Sequence, residues 1–326
     1  MGTRDVRGRA DATAGIRVAV GEPREAMNAR IVLGVLLLIH GVGGCAPNRP
    51  EPAAARVPII RERDGAPPEL VAQARKLRDA GRLLAIDDVR KQLGRTSCRL
   101  SLPVPNSRPL TGSQIWARAR RAHLRVGYFF LCNKCSNWHL NLAGGYAITA
   151  DGAVATCFHV VEPRDMKEGY LLAATDDGKV LPVTAVLAGH RTNDACILRV
   201  ASETPLEPLP LNPHVTPGDD VWCYSDPVNR TGFFSRGIVN RFYQHWHAGR
   251  ARTRPPVRMN VSTDWAPGSS GAAVLDQYGN AVGHVVAVSA RGEHPASGPS
   301  TRPAGETVIV FHDAVRAADV LALVKR

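Results

Sequence analysis

Three residues have the side chains and surroundings that nucleophilic catalysis needs: Ser270, His159 and Asp194. Ser270 lies in Asp264-Trp265-Ala266-Pro267-Gly268-Ser269-Ser270-Gly271, a tight turn that feeds straight into the apolar Ala272-Ala273-Val274-Leu275. Gly268 and Gly271 permit backbone geometries that a Cβ would forbid. The serine is thereby expected to present its hydroxyl and its own N–H to one small volume, which suits a nucleophile whose oxyanion is met by backbone donors. Such a turn alone also makes ordinary hairpins, so its partners decide. His159 follows Ala153–Phe158, the strand returning from the turn Ala150-Asp151-Gly152. Asp194 stands at the entrance of the apolar Ala195–Val200, where backbone donors can fix an acid that orients an imidazole. By itself Asp194 reads more readily as an Asx turn than as a catalytic acid. The order His159, Asp194, Ser270 favours catalysis.

The elements that must position them are short strands. With 326 residues, 44% hydrophobic content, only 6% aromatics, 30 glycines and 24 prolines, the composition favours many strands and turns over long helices. Strands are expected at His123–Leu131, His139–Leu142 continuing through Gly145–Thr149, Ala153–Phe158 running on to Val161, Val180–Leu187 and Ala195–Val200. Others are expected at Val215–Asp226 and Phe233–Val239. Before them, the spacing of Leu70, Val71, Ala74, Leu77, Leu83, Leu84, Ile86, Val89 and Leu93 predicts two short helices broken near Gly81. Thr111-Gly112-Ser113-Gln114 has the form of a capping box opening a third. The formal charge of +12 comes from scattered arginines, which read as a solvated surface rather than a nucleic-acid site.

The first forty-five residues read differently. Residues 31–44 form an apolar run too short to span a bilayer comfortably but suited to a signal-peptide core. Val42-Gly43-Gly44-Cys45 resembles a bacterial lipobox, which makes Cys45 the expected lipid-attachment residue. The polar stretch ahead of it is long, and Met27 would make a conventional start, so residues 1–26 are expected to lie outside the natural protein. The expected organisation is a signal at 1–45, a Pro-, Ala- and Arg-rich tether at 46–67, a helical extension at 68–111 and a catalytic domain at 112–326.

From about residue 112 onward the chain resembles the trypsin-like, chymotrypsin-fold serine peptidases, and among them the bacterial Deg/HtrA-type protease domain. Three motifs in order carry this: Thr156-Cys157-Phe158-His159-Val160-Val161, Asp194-Ala195-Cys196-Ile197-Leu198 and Pro267-Gly268-Ser269-Ser270-Gly271. The resemblance implies an all-β fold of two six-stranded antiparallel barrels, at about 123–205 and 215–312, with a final helix at about Asp313 to Lys325. It implies Ser270 as nucleophile, His159 as general base and acid, Asp194 as the orienting carboxylate, and the N–H groups of Gly268 and Ser270 as the oxyanion hole. Ser269 stands where animal digestive proteases carry the aspartate that pairs with a newly cut N-terminus, so no such activation is expected. The 56 residues after Ser270 are too few for a PDZ domain as well as the second barrel.

Asp264 lies six residues before Ser270, the spacing at which trypsin-like enzymes place a pocket acid for Arg or Lys side chains. Thr263-Asp264 also resembles a structural pair in Deg proteases, so both readings stand. Cys132-Asn133-Lys134-Cys135 followed by His139 has the form of half a metal site, with Cys98 or His123 as the nearest further ligands. In an exported chain a disulfide, Cys132–Cys135 or one of these with Cys98, is the commoner outcome, and no metal or cofactor is assigned. Cys157, Cys196 and Cys223 read as strand thiols, and His190 and His284 are given no chemistry. His245-Trp246-His247 reads as a solvated loop. Together these features predict an envelope-anchored serine endopeptidase acting on protein or peptide substrates. The alternative from a different class is a trypsin-like binding or scaffold lipoprotein with little or no turnover.

Overall fold

In the computed structural model the described residues are 59–60, 62, 65–163, 166–244, 255–292 and 307–325. Cys45, the expected signal, most of the tether and the His245–His247 loop lie outside them.

The chain enters through helix α1 (Pro68–Asp79), whose first position takes a proline because the N–H it lacks would have no helical partner. Strand β1 (Leu84–Ala85) and helix α2 (Ile86–Gln92) follow. These helices are docked, not free. Leu70 and Ala74 are buried with Leu172, Ala174 and Val180. The Gln73 amide bonds the Gly178 carbonyl at 2.9 Å and the Val180 N–H at 3.0 Å. Strand β2 (Cys98–Arg99) leads to helix α3 (Gly112–Ala122), where Thr111 and Gln114 form the capping box in both directions.

The first barrel comprises β3 (His123–Cys132), β4 (Trp138–Ala147), β5 (Ala153–Thr156), β6 (Met166–Thr175), β7 (Val180–His190) and β8 (Ala195–Val200). The order is β6-β3-β4-β5-β8-β7, closed by pairing of β6 with β7, with β1 added outside β6. The second comprises β9 (Asp220–Ser225), β10 (Phe233–Tyr243), β11 (Arg258–Val261), β12 (Ala273–Asp276), β13 (Ala281–Gly292) and β14 (Thr307–Arg316), closed in the order β10-β11-β14-β13-β12-β9. Both are antiparallel throughout, the double-barrel architecture of chymotrypsin-like proteins. Closure removes the exposed edges that open sheets carry.

A shared core lies where the barrels meet. Ile115, Ala119 and Ala122 of α3 pack with Tyr146, Ile148 and Ala155 of the first barrel and Trp222, Ala273 and Leu275 of the second.

Two details depart from the sequence reading. The segment after Thr156 is no strand continuation but a single helical turn, α4 (Phe158–Val161). The expected C-terminal helix is formed only in part: Asp313–Arg316 belongs to β14, pairing with β13, Ala317–Leu321 (α5) is helical, and β15 (Val324–Lys325) pairs with β2. Asp313, Ala314 and Val315 are all buried, and pairing with β11 and β13 won over the helical spacing of the same apolar residues.

Candidate active site

His159 is placed by the turn of α4. The first N–H groups of a helix have no partner inside it, and the His159 N–H donates instead to Asp194 Oδ1 at 2.9 Å. His159 Nδ1 meets the other carboxylate oxygen, Oδ2, at 2.7 Å. One carboxylate therefore fixes both the backbone and the ring. An ionised carboxylate only accepts, so the proton sits on Nδ1 and Nε2 keeps its lone pair. The Nε2 side of the ring points away from Asp194.

Asp194 adopts φ +60°, a left-handed conformation that aspartate tolerates better than most residues. Its N–H is taken by the carbonyls of His190 at 2.9 Å and Arg191 at 3.2 Å, which close the β7–β8 turn. Burial pushes its carboxyl up, but the hydrogen bonds and charge of His159 outweigh this and hold it below the ordinary value. It is thus kept ionised.

The Ser270 turn is fixed from both barrels. Ala266–Ser269 is a β-turn closed by the Ser269 N–H on the Ala266 carbonyl at 3.1 Å, with Pro267 and Gly268 central and Gly268 at φ +104°. Those residues in those positions are the chemistry of a type II turn. The Pro267 carbonyl accepts the Val228 N–H at 2.7 Å. In a trans peptide the C=O and N–H point oppositely, so this bond aims the Gly268 N–H away from Val228. Among the described residues neither that N–H nor the Ser270 N–H has a protein acceptor. Two donors of the serine turn are left free.

The Ser270 carbonyl accepts from Gly144 of β4 at 2.7 Å, and the Thr156 hydroxyl donates to the Gly144 carbonyl at 2.7 Å. The Val285 carbonyl receives both the Gly271 N–H at 2.8 Å and the Cys157 thiol at 3.1 Å. The serine turn is therefore pinned to Thr156 and Cys157, immediately ahead of α4. Any side chain at Gly271, φ +87°, would strike Gly144 and Thr156. His159 and Asp194 are joined directly, whereas Ser270 is tied to their neighbourhood through its backbone. Its hydroxyl makes no hydrogen bond among the described residues.

Gly268→Ala tests the donor peptide. A Cβ there would lie 2.9 Å from the Asp226 carbonyl at a φ that L-residues rarely adopt. The turn must then rotate and withdraw one donor, which is expected to lower kcat by roughly 10²–10³-fold with little change in KM. An unchanged kcat would contradict the donor role.

Sequence reasoning missed three supports of this site. His284, fully buried, points Nε2 to the Asp194 carbonyl at 3.2 Å and packs its ring 6.2 Å from that of Tyr146. A histidine inside the apolar run Ala281–Val288 was the available signal. The second support is Val228, at φ +46° beside Asn229 at +63°. The third is Asp226, which receives the Gly232 N–H at 2.8 Å and lies 3.3 Å from buried His123 Nε2. Nothing in the local sequence of Val228 or Asp226 announced the last two.

Burial, ahead of the opposing pull of Asp194, lowers the His284 pKa to about 4. Between pH 6.5 and 4 the unfolded chain binds a proton here and the folded chain does not. Stability therefore rises with pH through this window and is lost on acidification, by on the order of 3 kcal/mol. Urea titrations of the wild type and His284→Gln at pH 7 and 4.5 check this. The variant is expected to lose markedly less stability on acidification, and identical slopes would refute the assignment.

The other sequence candidates lie elsewhere. Asp264 is exposed; Ser235 Oγ accepts from its N–H at 3.1 Å and donates to its carbonyl at 3.0 Å, while its carboxylate has no partner among the described residues. Neighbouring Trp265 is buried, its Nε1 donating to the Ala287 carbonyl at 3.0 Å. All six described cysteines are free, so the disulfide expected at Cys132, Cys135 or Cys98 is not formed. Cys157, Cys196 and Cys223 are buried, and burial raises each thiol well above its ordinary range, which leaves them unreactive. A cavity of about 870 Å³ is bordered by α1, Trp138–Ala143, Asp176 and Asp226, and no member of the candidate triad lines it.

Among curated proteins none matches the chain. Residues 143–283, which include His159, Asp194 and Ser270, match the family model described as a trypsin-like peptidase domain, and with the double barrel this match supports a chymotrypsin-fold serine peptidase, a hydrolase of peptide bonds.

Proposed function

We propose that the chain is a serine endopeptidase in which Ser270 is the nucleophile, His159 its general base and acid, and Asp194 the orienting carboxylate. The observation that carries this is the pair of hydrogen bonds from His159 to Asp194, at 2.9 and 2.7 Å, beside a serine turn with two free N–H groups. His159 Nε2 takes the Ser270 proton as Oγ attacks the scissile carbonyl. The Gly268 and Ser270 N–H groups receive the oxyanion, and the imidazolium, steadied by Asp194, protonates the leaving amine. Water then hydrolyses the acyl-enzyme by the same path.

Within this class the three motifs favour the Deg/HtrA-type branch. The apolar run 31–44 ending at Cys45 supports export and lipid attachment, hence exported proteins as substrates at a bacterial envelope. Purified protein is expected to cleave unfolded casein and to lose this activity after a serine-directed sulfonyl fluoride. A folded preparation that cleaves nothing would favour the binding or scaffold alternative.

A further inference from the structure

The tip of the β3–β4 hairpin carries a group of side chains that the proposed hydrolysis does not use. Phe130 and His139 are direct cross-strand partners, so their side chains share a face of the sheet, and Cys132, two residues beyond Phe130, shares it too. The loop closes through the Cys132 N–H on the Asn137 carbonyl at 3.2 Å and folds Cys135 back over this face. Cys135 Sγ comes to 3.0 Å from His139 Nε2, and the three donor atoms of Cys132, Cys135 and His139 all lie within 4.8 Å of one another. The Phe130 ring, 5.6 Å away, backs the imidazole.

We infer that Cys132, Cys135 and His139 form a binding site for a thiophilic divalent cation, Zn²⁺ foremost. Tetrahedral zinc bonds sulfur at about 2.3 Å and nitrogen at about 2.0–2.1 Å, which sets ligand atoms about 3.5 Å apart. The 3.0 Å Cys135–His139 pair must open by about half an ångström, and separations of up to 4.8 Å must close by as much as about 1.3 Å, at a solvent-facing tip. The backbone is also shaped for thiolates. The Lys134 N–H donates to Cys132 Sγ at 3.3 Å, the loop N–H arrangement by which a Cys-x2-Cys turn steadies a metal-bound sulfur. Two thiolates balance the cation's charge, and one neutral imidazole completes the protein's share.

The fourth ligand comes from solvent or an exogenous group. His123 sits nine residues along β3, about 30 Å away at strand rise, and is engaged with Asp226. The Cys98 thiol is directed at the Leu323 carbonyl, 3.6 Å away. With Cys132 and Cys135 half-buried and His139 exposed, the site is open on one side. It is expected to bind metal reversibly and to pin the hairpin beside the cavity that Trp138 and His139 border.

A second cluster of donors, Cys157, His159 and Asp194, must be separated from this one. Full-length protein is purified with reductant, stripped by chelator, loaded with Zn²⁺ and desalted, and its zinc is counted by mass spectrometry. Co²⁺ loading then reports the ligands. Expected are one zinc per chain, a thiolate-to-cobalt charge-transfer band with intense tetrahedral absorption, and retention of both in His159→Ala. Cys135→Ser and His139→Ala, on a tip outside the core, are each expected to weaken binding by at least about 100-fold. The inference is overturned if reduced protein keeps no zinc, if these two variants keep it unchanged, if His159→Ala loses it, or if Cys132 and Cys135 resist reduction as a disulfide.

Discussion

Replacing His159 with alanine is expected to lower kcat by roughly 10⁶-fold, the scale seen when a triad loses its base. Without the imidazole nothing near Ser270 can take its proton. Cys157, the nearest other ionisable group on that segment, is buried and held as a neutral thiol. The loss should fall on kcat rather than KM, because the oxyanion donors and cleft are untouched. His159 is about one-third exposed and ends no core cluster, so the melting temperature should move little. Steady-state kinetics with a peptide substrate, alongside a thermal melt, check this. A variant that keeps more than about a thousandth of the activity would require another base.

Asp194→Asn is expected to cost roughly 10⁴-fold in kcat by a different route. The asparagine oxygen can still accept the His159 backbone N–H, so the loop geometry survives. Its amide NH₂ then faces Nδ1 and donates to it. Nδ1 must become the acceptor, the ring proton moves to Nε2, and the base points a proton at Ser270 in place of a lone pair. The variant should therefore fold like the wild type while failing as a catalyst. If its kcat were reduced less than about tenfold, the tautomer argument would fail.

Much of this site was legible in the sequence, for identifiable reasons. The glycine-flanked turn, the strand running to His159 and the acid ahead of an apolar strand are local patterns, and local patterns survive without coordinates. The bonds that lock them are not local. The Val228 N–H reaches the Pro267 carbonyl from another loop, and its left-handed backbone sits on Val228 and Asn229, where no glycine advertises it. His284 supports Asp194 across a register that only the closed second barrel creates. The same limit explains the misread C-terminus. There Ala314, Val315, Ala317 and Val320 suit a helix and a strand equally until β13 and β11 offer β14 its partners. The free cysteines reflect a further point: spacing brings Cys132 and Cys135 together but does not say whether sulfur meets sulfur or metal.

The reading rests on one chemical claim, that Ser270 is an activated hydroxyl. Treating the native protein with a fluorophosphonate and mapping the adduct by mass spectrometry tests it most directly. One phosphonyl group per chain on Ser270, absent from Ser270→Ala and from heat-unfolded protein, is the predicted result. A folded wild type that takes no label, or takes it on another residue, would contradict it.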